Sequence, residues 1–150
     1  MAKPRPERGW KIAPDGEKWR RVVASPAPQS ILEADVISLL VRQGVTVICT
    51  GGGRIPVVEG RDGSSQGAEA VIDKDAASAL LVEQLGADML LLLTDVDAVY
   101  ADFGKPAASP LAKIDLSAVD ETQFPARSMR PKIAAAIVAG EKGTTFFVEP

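Results

Sequence analysis

The 150-residue sequence contains no histidine and a single cysteine, Cys49. The first absence removes the commonest general base and transition-metal ligand, and the second excludes an internal disulfide or a cysteine-cluster zinc site. With no histidine to activate it, Cys49 reads as a small buried hydrophobe rather than a nucleophile. Aromatic residues make up only 5% of the chain, and no apolar run approaches the length needed to span a bilayer. The opening MAKPRPERGW lacks the continuous apolar segment of a secretory signal, so the expectation is a cytoplasmic protein with no membrane partner. Any chemistry here must run on Lys, Arg, Asp, Glu and backbone amides.

With 46% hydrophobic residues, the chain can bury one core of a globular domain. Its net charge of -3 is unevenly placed, since Lys3, Arg5, Arg8, Lys11, Lys18, Arg20 and Arg21 outnumber Glu7, Asp15 and Glu17 within residues 1–21. This basic arm is short and interleaved with acids and prolines, and the body that follows is acidic. It reads as a solvated lead-in rather than a nucleic-acid or lipid contact.

Helical and strand patterns alternate along the rest. Ser30-Ile31-Leu32-Glu33 has the form of a capping box, and Leu32, Val36, Leu39 and Leu40 share one face before Gly44, which predicts a helix over 30–43. VTVICT (45–50) predicts a strand buried on both faces, followed by a loop, GGGRIPVVEG (51–60). From about residue 74, Ala77, Leu81 and Leu85 recur at helical spacing up to Gly86, and MLLLLT (89–94) predicts a second buried strand. Residues 101–116 are rich in turn formers and read as irregular, with a short helix after them. A last helix is expected over 131–139, closed by Gly140, and a last strand over 144–148. This alternation predicts a three-layer α/β/α fold with a mostly parallel sheet.

In such sheets ligands gather beyond the carboxyl ends of the strands, which directs attention to four loops. Gly51-Gly52-Gly53 follows VTVICT and would let backbone amides approach an anion, although a sharp exit from a strand explains the same residues. Asp73-Lys74-Asp75 opens a helix, where a lysine beside carboxylates and helix amides suits a phosphoryl group in transfer, although on the residues alone an aspartate cap with a solvated lysine is the favoured reading. Thr94-Asp95-Val96-Asp97 and Tyr100 could hold a nucleotide or form an Asx turn. Ser128-Met129-Arg130-Pro131-Lys132 brings a serine, a first-turn proline and a lysine to one helix start.

VVASPAPQSILE (22–33), ICTGGGRIPVV (48–58), GAEAVIDKDAASALL (67–81), LLTDVDAVYADFGKP (92–106) and RSMRPK (127–132) occur in an order and spacing that resemble the carbamate kinases of the amino acid kinase family. The resemblance implies reversible phosphoryl transfer between ATP and carbamate, giving ADP and carbamoyl phosphate, with magnesium and in a homodimer. By the same resemblance Lys74 neutralises the phosphoryl group in flight, Asp75 organises the catalytic lysines and Lys132 reaches the nucleotide phosphates. Thr94, Asp95, Val96, Asp97, Tyr100, Ser128 and Met129 would bind the nucleotide, and Gly51, Gly52 and Gly53 would form the loop near the transferred group.

The resemblance covers the family's second half, so residues 1–21 correspond to part of a lid-like insertion and 22–150 to the nucleotide-binding half. Lys11 is the position to which the insertion's lysine is assigned. A complementary chain supplying the first half is therefore a further expected partner, and the chain alone is expected to have little or no activity. Arg54, Arg127 and Arg130 stand where the pattern leads to glycine, which predicts strain or lost affinity if the backbone there approaches phosphate or adopts positive φ. The alternative is a non-catalytic nucleotide-binding or interaction module that pairs through an exposed sheet edge. A dinucleotide-binding oxidoreductase is disfavoured because no spaced-glycine fingerprint opens a helix.

Overall fold

The computed structural model describes residues 9–51, 55–126, 128–141 and 143–149. Gly52, Gly53, Arg54 and Arg127 lie outside the described residues. The chain divides into two compact units, one comprising residues 9–26 with 55–72 and the other 27–51 with 73 onward.

The first unit is built from hairpins. β1 (Ile12–Asp15) pairs antiparallel with β2 (Lys18–Arg21) across a turn in which Gly16 takes φ 58, a left-handed conformation that glycine adopts without steric cost. β3 (Val57–Glu59) pairs antiparallel with β4 (Ser65–Gly67), correcting the loop expected there. A parallel bridge joins Ala24 to Ala70. Arg21 lies over the Trp10 ring at 4.5 Å and pairs with Glu69, so one guanidinium serves both a cation–π contact and an ion pair.

The second unit carries the core. α2 (Lys74–Leu85) begins at Asp73, whose Oδ1 accepts from Asp75 N at 2.9 Å and Ala76 N at 3.0 Å, and ends at Gly86 with φ 61. Both ends follow from the residues: a carboxylate satisfies the first orphan amides and glycine accepts the left-handed stop. β5 (Met89–Leu93) pairs in parallel with β8 (Thr145–Glu149), Met89 opposite Thr145. The register is pinned at its start, where Thr145 N donates to Asp88 O and Thr144 Oγ1 to Ala87 O, each at 3.0 Å.

Leu90 and Leu92 project into a core formed with Ala79 and Val82 of α2 and Ala135 and Ala139 of α3 (Met129–Glu141). Alanines at this contact let the two helices approach closely. A second cluster joins Val99, Phe124, Met129 and Ile133. Between β5 and α3, β6 (Val99–Ala101) pairs antiparallel with β7 (Ser109–Leu111), and Asp120 caps a 3-10 turn at Glu121–Gln123.

Several expectations are corrected. α1 spans only Ala34–Arg42, and Glu33 caps it without a side-chain bond, so the Ser30 capping box does not form. Residues 45–50 are not a strand: no β-ladder among the described residues includes them, Ile48 is 97% exposed, and Thr50 adopts φ 53, which turns the chain out of extended geometry. Cys49 is half-buried rather than fully buried. β5 hides only one face, since Met89, Leu91 and Leu93 are exposed. β7 occupies part of a stretch read as irregular. α3 starts two residues early and contains Gly140 instead of ending there; the Cβ-free position of Gly140 faces Leu116, whose Cδ1 would lie 2.6 Å from an added methyl. Chain reversal falls at Gly143, with φ 81.

Candidate functional site

Two helix starts and one strand exit form the site, all within the second unit. Asp75 is in the first turn of α2 and Lys132 in the first turn of α3. Packing of these helices brings them together across 57 residues of sequence, with Lys132 Nζ 3.3 Å from Asp75 Oδ2 and 3.4 Å from Oδ1. Both residues are buried, 6% and 7% exposed, where an unpaired charge would be costly. Asp75 is also an acidic residue of the first turn of α2, a favourable place for negative charge. Lys74, by contrast, is exposed at the first position of α2 and has no ion-pair partner among the described residues. The structure thus assembles Asp75 with Lys132 and leaves the Lys74 ammonium to solvent.

Beyond the carboxyl end of β5 lies a shallow open cleft with a cavity volume of about 50 Å³. Thr94, Asp95, Val96, Ala98, Tyr100, Phe103, Phe124, Pro125, Ser128 and Met129 line it. The lining mixes aromatic and apolar side chains with a few polar groups, the composition of a small-ligand site, in a shallow rather than enclosed cleft. Thr94 Oγ1 lies 3.5 Å from Asp95 Oδ1, and the Tyr100 hydroxyl donates to Asp97 Oδ2 at 3.1 Å. This hydrogen bond to Asp97, then the carboxylate's charge and then burial, raises the Tyr100 pKa above the ordinary phenolic value. Asp97 acts on the cleft through Tyr100 and does not line it. Tyr100 and Phe103 meet at a tilted angle of 59° with ring centroids 6.2 Å apart.

Ser128 stands immediately before α3, and Met129 is that helix's first residue, so the helix carrying Lys132 starts at the cleft. Gly51 is exposed and lines neither the cleft nor the ion pair. Ala98, Phe103, Phe124 and Pro125 were not anticipated from sequence. In so aromatic-poor a chain, Phe103 and Phe124 near the motif residues were the available signal. Arg130 is helical and has no positive φ, so the strain expected at this position is absent. Its Nη2 donates to Thr122 O at 2.9 Å and its Nε to Phe124 O at 3.3 Å. Lys11 is exposed in the first unit, where its carbonyl accepts from Val22 N.

The chain matches the amino acid kinase family over residues 11–148. It is 47% identical to carbamate kinase of Haemophilus influenzae over 131 residues, covering 87% of this chain and 42% of that protein. It is 49% identical to carbamate kinase of Thermoplasma volcanium over 133 residues, covering 86% and 43% respectively. The chain therefore spans less than half the length of these curated relatives. Among solved structures, it superposes on a carbamate kinase from Giardia lamblia bound to AMP-PNP with TM-score 0.82 and 38% identity, covering 94% of this chain and 46% of that one. A protein of Aeropyrum pernix gives TM-score 0.83 at 37% identity, covering 95% and 47%. Together with the parallel β5–β8 pair and its covering helices, the match over nearly the whole sequence means that this chain belongs to the amino acid kinase family.

Proposed function

We propose that this chain is the nucleotide-binding part of a carbamate kinase-type phosphotransferase, moving a phosphoryl group reversibly between ATP and carbamate. A carbamate oxygen would attack the γ-phosphorus as the bond from phosphorus to the ADP oxygen breaks, releasing ADP and carbamoyl phosphate. The observation that carries this reading is the buried Asp75–Lys132 pair together with a cleft that opens at the start of the lysine's own helix.

Transfer of this kind gives a protein little covalent chemistry and depends on charge positioned in advance. Asp75 holds Lys132 in place, ready for the nucleotide phosphates, while Lys74 meets the transferring group. Thr94, Asp95, Val96, Tyr100, Ser128 and Met129 contact the nucleotide, Asp97 orients Tyr100, and Gly51–Gly53 form the loop nearest the transferred group. Magnesium enters as the ion carried on the phosphates: among the described residues no group of three or more Asp, Glu or Cys converges to hold a metal. A cytoplasmic location and a homodimer or complementary chain belong to the same reading, with little turnover by the chain alone. Among the described residues no helix is long and apolar enough to cross a membrane.

A second reading, a nucleotide-binding or interaction module without catalysis, is favoured by the exposed apolar face of β5. Calorimetric titration with ADP and magnesium, followed by ATP synthesis from carbamoyl phosphate and ADP with a complementary first-half chain added, separates the two. Binding with transfer that Lys74→Ala abolishes supports the kinase. Binding without transfer under all conditions supports the module, and a folded chain that binds no ADP overturns both nucleotide readings.

A further inference from the structure

We propose that Arg130 is a positioning residue that holds the Phe124–Pro125 wall of the cleft. The identity of the occupant, a nucleotide, rests on the preceding proposal; the mechanical link does not. Phe124 is 5% exposed and packs against Val99, Met129 and Ile133 while also lining the cleft beside Pro125. The wall follows a 3-10 turn of only three residues, which leaves Thr122 O and the carbonyls just after the turn in need of donors. The Arg130 side chain supplies two of them, Nη2 to Thr122 O and Nε to Phe124 O, while Pro125 O accepts from the backbone N of Ser128 at 3.3 Å and of Arg130 at 3.1 Å.

One residue of α3 thus grips three carbonyls in a row of four residues. The guanidinium fork matches two of them at once, which an ammonium on a flexible stem does not reproduce. Arg130 itself is not part of the cleft lining. It therefore acts through the wall, so loss of its side chain loosens the backbone at Thr122 and Phe124 and makes a ligand reorder that segment on binding.

The test uses the full chain with ADP and magnesium, measured by calorimetry, alongside hydrogen exchange of residues 121–126 without ligand. Arg130→Gly is expected to weaken ADP binding about tenfold, the scale of hydrogen bonds lost from a charged donor, and to raise exchange in that segment. Arg130→Lys is expected to fall between wild type and Arg130→Gly in both readouts, and it serves as the deciding variant if the glycine form does not fold. In a Phe124→Ala background the arginine substitution is expected to add less than about a twofold loss, because coupled residues are not additive. Unchanged exchange in the arginine variants overturns the proposal. So does a full additive loss in the Phe124→Ala background, which would mean that Arg130 meets the ligand directly. If wild type binds no ADP, the nucleotide reading fails, and exchange alone decides whether Arg130 holds the wall.

Discussion

The α2–α3–β5–β8 block and the segment 31–51 are both rich in apolar residues, yet they meet different fates. In the block, Leu92 is 5% exposed and Ile133 fully buried; in the segment, Leu39 is 54% exposed and Ile48 97%. The difference lies in neighbours rather than composition. Leu92 sits on a strand that has a parallel partner and two covering helices, whereas α1 shows most of its apolar stripe to solvent and residues 45–50 have no strand beside them among the described residues. A hydrophobic pattern marks what must be covered, and only a partner surface covers it.

The sharpest way to break the contrast is at the buried charge. Lys132→Ala should destabilise the chain by about 4 kcal/mol by leaving Asp75 buried and unpaired, read as a lower urea midpoint. Next, Leu92→Ala should cost about 3 kcal/mol by opening a cavity, while Leu39→Ala should stay within about 0.5 kcal/mol; equal effects would mean that α1 is covered in solution. Asp73→Ala should cost about 1 kcal/mol through lost capping, measured in the same denaturation series.

The smallest effect is spectroscopic and concerns the cleft. Tyr100 is the sole tyrosine, so phenolate absorbance reports it alone. Its bond to Asp97 favours the neutral hydroxyl, and its folded pKa is raised. Any stability it contributes is therefore present below the ordinary phenolic pKa of about 10 and disappears as pH rises through the folded value. Asp97→Asn should move the titration back down; an unmoved curve would show that the hydroxyl does not donate to Asp97 in solution.

α2 was legible to the residue because its start and stop have local causes, Asp73 and Gly86. β5 and β8 were legible as short apolar runs. The hairpins β3–β4 and β6–β7 were not, since three-residue strands containing Pro110, Ser65 or Gly67 carry too few alternating positions to show a period. Residues 45–50 misled in the opposite direction: a β-branched run states a preference that only ladder partners fulfil. At the site, the residues alone favoured capping over phosphate binding at Asp73–Asp75, and the cap did form. The meeting of Asp75 with Lys132 depends on helix packing across 57 residues, which no local pattern encodes. The family resemblance suggested their roles; it did not suggest the Phe124–Pro125 wall or the arginine that holds it.

The Asp75–Lys132 pair also constrains how the sequence can change. Replacing either partner alone strands a charge in the interior, while replacing both by apolar residues of matching volume can be tolerated. Any lineage that gave up the pair would thus have to cross a destabilised single mutant before reaching an apolar pair. The two residues behave as one heritable unit written in two places on the chain.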